Sequence, residues 1–332
     1  MVSTKIYLNV VILVFVCFNL LSQQNLSWIK VKKNLLVDES GQTIVFKGLN
    51  ASDPDKLEKE NRWNKAYFTA MKQWNANLVR LPIHPRAWRE RGSDNYIKLL
   101  DQGIQWAQEL GMYVVLDWHS IGNLHSEIFF MPMYDTSKKE TFHFWRTMAL
   151  KYGNEPTVAF FELYNEPTID NNKLGQCSWQ QWSALMEEII VMIRANGAKN
   201  IPLVAGFNWA YDLKEIRYQP IKAEGIAYVS HPYPQKRPKP WADRWEVDFG
   251  FVTDNYPLVL TEIGFCFEGD KGAHIPVISD ESYVDEILAY CNQKGISYCV
   301  WVFDLNWSPM LIKDWSFKPT TSGAFWMEAM KK

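Results

Sequence analysis

From residue 43 to the C-terminus the chain alternates short apolar, β-rich runs with longer segments whose apolar residues recur at spacings of three and four. The short runs are TIVFKGLN (43–50), NLVRLPIH (77–84), YVVLDWH (113–119), VAFFELYNE (158–166), IPLVAGFNW (201–209), IAYVSHPY (226–233), PLVLTEIGF (257–265) and SYCVWVFD (297–304). The longer ones include YIKLLDQGIQWAQELG (96–111), ETFHFWRTMALKYG (140–153), WQQWSALMEEIIVMIRANG (179–197) and SYVDEILAYCNQKG (282–295), each ending on the glycine that commonly stops a helix. Strands that alternate with helices predict a parallel sheet, and eight such units close naturally into a (β/α)8 TIM barrel. A doubly wound open sheet is the other arrangement, but no G-x-G-x-x-G or phosphate-binding loop follows any of the strands.

Residues 25–42, NLSWIKVKKNLLVDESGQ, predict a short hairpin or cap that closes the barrel floor. No repeat, low-complexity stretch or linker marks a second domain, so residues 25–332 are expected to form a single catalytic domain. Residues 1–24 read as an export signal. Lys5 supplies the positive start, and the apolar run Tyr7 to Leu21 is shorter than the roughly 20 residues of a membrane span. Ser22 is the one small residue at a candidate cleavage point, which leaves an uncleaved anchor open. Cys17 lacks the small residues that precede a lipid-modified cysteine. The expected location is secreted, extracellular or periplasmic.

A net charge of −2 over 332 residues suggests neither a basic nucleic-acid surface nor an acidic disordered tail. Cys177, Cys266, Cys291 and Cys299 show no metal-type spacing, and a disulfide among them is open but cannot be paired from sequence. The histidines His84, His119, His125, His143, His231 and His274 form no H-E-x-x-H pattern. No metal or cofactor is expected. Aromatic content is the unusual feature: 16 Trp exceed what filling the core requires, so some rings are expected to face a ligand.

In a barrel of this kind the chemistry sits at the C-terminal ends of the strands. Those positions hold Arg80, His119, Asn165, Glu166, His231, Tyr233, Glu262 and Trp301. One such residue alone reads equally well as a structural ion pair; their recurrence at one end of most strands points to a site. Glu166 ends the fourth strand and Glu262 the seventh, nearly opposite in a ring of eight, so the two carboxylates can flank a bond held between them. Glycoside hydrolysis needs such a pair. With Arg80 and Tyr233 nearby, Glu262 is expected to stay ionised, and Glu166, beside a second carboxylate, to be pushed upward. That split makes Glu166 the acid and Glu262 the nucleophile. Glu162 and Asp117 are expected to be inner-layer partners for a cation such as Arg80.

The segments NLVRLPIHP, VVLDWHS, FFELYNEP, SHPY, LTEIGF and VWVFD resemble glycoside hydrolase family 5, a group of retaining β-glycanases, from about residue 43 to residue 330. The resemblance implies that Glu166 is acid/base, Glu262 nucleophile, and Asn165 a partner of the sugar 2-hydroxyl. It implies that Arg80 and Tyr233 hold Glu262, that His231 touches Glu166, that His119 binds sugar hydroxyls, and that Trp301 underlies the attacked sugar. The expected carboxyl separation is about 5–5.5 Å.

Trp88, Trp209, Trp241 and Trp307 are candidates for outer sugar sites, because pyranose C–H faces pack on aromatic planes; Trp209, directly at the end of the fifth strand, ranks first. The substrate expected is a β-linked polysaccharide, and the activity a retaining endo-β-1,4-glucanase. The alternatives are a β-mannanase, a xyloglucan-active enzyme, or a carbohydrate-binding barrel without turnover. A nucleotide-dependent barrel would want a phosphate loop after strand seven or eight, and CFEGDKGAH is a poor one. The chain is expected to act as a monomer, with no nucleic-acid partner and no membrane contact beyond the export signal.

Overall fold

The computed structural model describes residues 26–332, so the export-signal reading of residues 1–24 lies outside the described residues. Eight parallel strands close into a barrel: β1 (Lys47–Asn50), β2 (Leu78–Ile83), β3 (Tyr113–Trp118), β4 (Val158–Glu162), β5 (Ile201–Ala205), β6 (Ala227–Val229), β7 (Leu258–Ile263) and β8 (Ser297–Val300). The ring is completed where Tyr298, Cys299 and Val300 pair with Lys47, Gly48 and Leu49. Each expected run contains one strand, and in all but the first the strand stops before the run does. Residues such as Asn165, Glu166, His231 and Trp301 have left the ladder, which frees their side chains to converge above it.

The strands are apolar on both faces because both are buried. Leu78, Val115, Phe160, Leu203, Val229, Val259 and Cys299 pack inside the barrel, while their neighbours Val79, Val114, Phe161, Val204, Tyr228 and Leu260 belong to the layer under the helices. The interior is tight at Gly48, where a Cβ would stand 2.5 Å from Cys299 Sγ. The expected cap is an antiparallel hairpin, Lys30–Lys32 with Leu35–Val37, and it contributes Ile29 and Leu36 to the inner cluster.

The helices follow their sequence signals. Ser93–Glu109, Lys138–Tyr152, Trp179–Ala195 and Ser282–Lys294 match the four apolar stripes, and Ser178 with Gln181 forms a full capping box at the start of the third. Cys177, Cys266, Cys291 and Cys299 are buried free thiols, so the disulfide left open by the sequence does not form among them.

Candidate active site

The polar residues form a layer one pleat above the apolar barrel filling. Arg80 projects inward from β2 and is fully buried, with all its N–H groups engaged. Nε donates to Glu162 Oε2 at 2.6 Å, and Nη2 to Glu162 Oε1 at 3.0 Å and Asn165 Oδ1 at 2.7 Å. Nη1 donates to Asn50 Oδ1 at 2.9 Å and Glu262 Oε1 at 3.0 Å, and Asp117 Oδ2 stands 3.0 Å from Nη2. Glu162 and Asp117 are therefore the inner-layer partners expected. Burial acts upward on the Glu162 carboxyl, but Arg80 and His231 outweigh it and hold it below the usual carboxylate range.

Glu262, at the end of β7, is held at both oxygens: Arg80 donates to Oε1, and the Tyr233 hydroxyl donates to Oε2 at 2.8 Å. Glu166 leaves the end of β4 and is anchored by a second short ladder, in which Ile121 and Gly122 pair with Glu166 and Pro167. His231 lies between the carboxylates, with Nδ1 3.1 Å from Glu166 Oε1 and 3.8 Å from Glu262 Oε2. Its Nε2 is 2.8 Å from Thr261 Oγ1, which in turn donates to Glu162 Oε1 at 2.8 Å. Burial pushes His231 down, but Glu262, Glu162 and Glu166 more than offset it and raise its pKa to about 9. At neutral pH the ring thus carries both protons, one toward Glu166 and one toward Thr261.

Glu262 was expected to stay ionised beside Arg80 and Tyr233; burial first and Glu166 after it raise its pKa, and His231, Arg80 and Tyr233 recover only part of that rise. The sequence shows the partners of a carboxylate but not how completely water is removed from it. Atoms of Glu166, His231 and Glu262 lie within 4.8 Å of one another, near enough to hold an ion. The same closeness lets His231 link the two carboxylates through its Nδ1, 3.1 Å from Glu166 and 3.8 Å from Glu262.

Above these groups opens a cavity of about 580 Å³. Glu166, Glu262, Asn165, His119, Tyr233, Trp301 and Trp209 all line it, while Arg80 and His231 lie beneath and act through hydrogen bonds. The Asn165 carbonyl oxygen is occupied by Arg80, and its Nδ2 has no partner among the described residues, leaving a buried donor at the cavity wall. His119 places Nδ1 2.5 Å from Asp117 Oδ2 and lies parallel to the Trp301 ring, with centroids 5.4 Å apart. Burial, followed by the charges of His84, Arg80 and His231, drives its pKa well below the ordinary histidine value, so it is a neutral hydrogen-bonding ring.

Of the four outer Trp candidates, two face the core. Trp88 is 4 % exposed and packs on Tyr96 and Phe144. Trp241 is 3 % exposed, lies parallel to Trp245 and donates to the Pro234 carbonyl. Both begin or sit within helices whose inner face needed a large ring. Trp307 runs parallel to Trp301 at 6.1 Å and extends that aromatic surface. Trp209 lines the cavity on an unusual turn: Asn208, Trp209 and Ala210 all have left-handed φ, at 60°, 54° and 55°. Such backbone costs about 1–2 kcal/mol per residue. Tyr134, Lys236, His274 and Phe130 also line the cavity, and none was singled out from sequence. They come from long loops with no periodicity; a long polar or aromatic loop after a barrel strand was the available signal.

A family model described as Cellulase (glycosyl hydrolase family 5) matches residues 37–306. Among solved structures, the β-glucanase SdGluc5_26A from Saccharophagus degradans in complex with cellotetraose is 48% identical, with a TM-score of 0.90 over 92% of this chain and 93% of that one. Among curated proteins, Cellulase CelDZ1 from a Thermoanaerobacterium species is 26% identical over 306 residues, 87% of this chain and 72% of its own. Endoglucanase 5 from Pectobacterium carotovorum subsp. carotovorum is 22% identical over 280 residues, 82% of this chain, which spans 50% of that enzyme's length.

Proposed function

Since the chain belongs to the cellulase family, glycosyl hydrolase family 5, and is a glycoside hydrolase, we propose that it is a retaining endo-β-1,4-glucanase. Glu262 is the nucleophile and Glu166 the acid/base. The observation that carries this reading is the pair itself: two carboxylates opening into one cavity, with an oxygen of each within 4.8 Å of one of the other. That separation suits direct attack, since inverting enzymes leave about 6.5–9.5 Å for an intervening water. The cellotetraose bound to the Saccharophagus β-glucanase supports a β-linked glucan as substrate.

Glu262 attacks the anomeric carbon as Glu166 gives its proton to the departing oxygen, forming a glycosyl ester on Glu262. Once that ester has neutralised Glu262, Glu166 takes a proton from the water that cleaves it. Arg80 and Tyr233 fix both oxygens of Glu262 so that one lone pair faces the sugar. The raised pKa of Glu262 sets a lower pH limit, because the nucleophile must be ionised. Asn165 Nδ2 meets the 2-hydroxyl, His119 the neighbouring hydroxyls, and Trp301 lies under the attacked ring. Strands β5 and β6 separate Glu166 from Glu262 on the side away from Trp301, so Trp209 lies under the leaving group. Lys5 and the apolar run Tyr7–Leu21 support export as part of the same reading.

The test is reducing-end release from carboxymethyl-cellulose, mixed-linkage β-glucan, glucomannan and xyloglucan, with the anomer of the first product followed by NMR. Glucan cleavage with β-anomer formed first is expected. An α-anomer would overturn the retaining step, and preference for glucomannan or xyloglucan would move the substrate to the family's other glycans.

A further inference from the structure

The turn carrying Trp209 is held by a side chain from another loop. Lys236 Nζ donates to the carbonyl oxygen of Asn208 at 3.0 Å and sits over the Trp209 ring, 4.9 Å from its centroid. The turn needs such a hold, because three consecutive residues without glycine's freedom stand in the left-handed region. At its base, Gly206 lets the chain fold back so closely that a Cβ would meet the Asp212 carbonyl oxygen at 2.0 Å. The return is closed by Asp212 N donating to Phe207 O at 3.0 Å and His231 N to Ala210 O at 3.1 Å. These backbone bonds fix where the loop runs. They leave the indole free to turn about its own side-chain bonds.

We infer that Lys236 is a positioning residue for the leaving-group side of the cleft, setting the plane of Trp209 by binding the backbone before it and the ring itself. The inference rests on the glucanase reading and names what orients its outer platform. Lys236 belongs to the short turn that follows Tyr233, and its N–H donates to the Tyr233 carbonyl at 3.0 Å. The neighbouring Gln235 binds the Pro276 and Ile278 carbonyls of the loop after β7 through its N–H and its amide. One four-residue turn therefore joins the Tyr233 that holds Glu262, the platform loop after β5 and the opposite wall after β7. Burial pulls the Lys236 pKa down, a sign of partial desolvation, and a partly desolvated ammonium binds an aromatic face more strongly than one in water. A single cation at this place ties the ring to the backbone that carries it.

The experiment compares kcat/KM for cellohexaose with that for β-cellobiosyl fluoride, whose leaving group is too small to reach Trp209. In Lys236→Met the cellohexaose-to-fluoride ratio falls about ten-fold, the loss appearing in KM more than kcat. Lys236→Arg, which keeps a cation over the ring, restores most of it. Adding Trp209→Ala to Lys236→Met lowers the ratio little further, because the lysine acts through that ring. Lys236→Gln replaces the Met variant if the latter does not fold. An unmoved ratio, whether both substrates keep their rates or lose them together, overturns the inference. If the unaltered protein turns over neither substrate, the glucanase reading falls and this one with it.

Discussion

At its lower end the barrel is filled by Leu78, Val115 and Phe160, resting on Ile29 and Leu36 of the hairpin, whereas two residues further along the same three strands stand Arg80, Asp117 and Glu162. Both sets are fully buried and both point inward. The lower set is apolar, and its contribution comes from area removed from water, largely regardless of orientation. In the upper set every contact depends on direction: the fork of Arg80 meets Glu162 in two hydrogen bonds and gives its remaining three N–H groups to Asn50, Asn165 and Glu262, with Asp117 paired to it by charge. Burying those charges opposes stability, and what is gained is a fixed direction for Glu262. One pleat of a strand separates the part that holds the barrel together from the part that aims it.

The largest expected effect lies wholly in the upper set. Glu262→Ala removes the proposed nucleophile and should lower kcat on β-glucan by about 10,000-fold or more, with little change in Tm. Azide added to this variant should attack from the vacated face and give an α-glycosyl azide. Added to Glu166→Ala, it should intercept the glycosyl ester and give the β-azide. The two azides distinguish the carboxylates independently of rate, and β-azide from Glu262→Ala would exchange the roles assigned here.

A paired substitution breaks the comparison more directly. Arg80→Met strands the carboxylates of Glu162, Asp117 and Glu262 without their cation and should destabilise the fold by about 3–5 kcal/mol, abolishing turnover as well. Phe160→Ala, one pleat below Glu162, should destabilise by a similar 3–5 kcal/mol by opening a cavity, while kcat measured well below its Tm stays within about two-fold. Equal losses of activity in the two variants would mean that the apolar filling also aims the site.

The same contrast separates what the sequence discloses from what it does not. The eight strands were legible because a strand buried on both faces is a continuous apolar run, and each is punctuated by the polar residue that leaves it. Arg80 and Glu162 were legible as partners because a charge inside such a run needs one. Trp88 and Trp241 were not legible as core: an indole in a loop or helix start carries no mark of the face it will turn to, and the neighbours that decide it, Phe144 for one and Trp245 for the other, follow their own periodicity. Lys236 went unnoticed because its partners, the Asn208 carbonyl and the Trp209 ring, come from a loop after another strand. The direction of the Glu262 shift was missed for a related reason, since partners can be read from spacing but desolvation is a property of the whole closed ring.

The smallest predicted effect tests whether the upper set's electrostatics are felt by the whole fold. His231 is raised to about 9 in the folded chain, against about 6.5 when unfolded. Below about 6.5 both states hold the proton, and its attraction to Glu262, Glu162 and Glu166 contributes in full. As pH rises through about 9 the folded ring also loses it, and the contribution disappears. Stability should therefore decline between those limits by on the order of 3 kcal/mol. Tm recorded across this interval for the unaltered protein and for His231→Gln should show the decline in the first and only a remnant in the second, so the curves approach each other at the alkaline end. Parallel curves would mean that His231 carries no extra proton at neutral pH, and that its bond to Glu166 is one between a neutral ring and a carboxyl group.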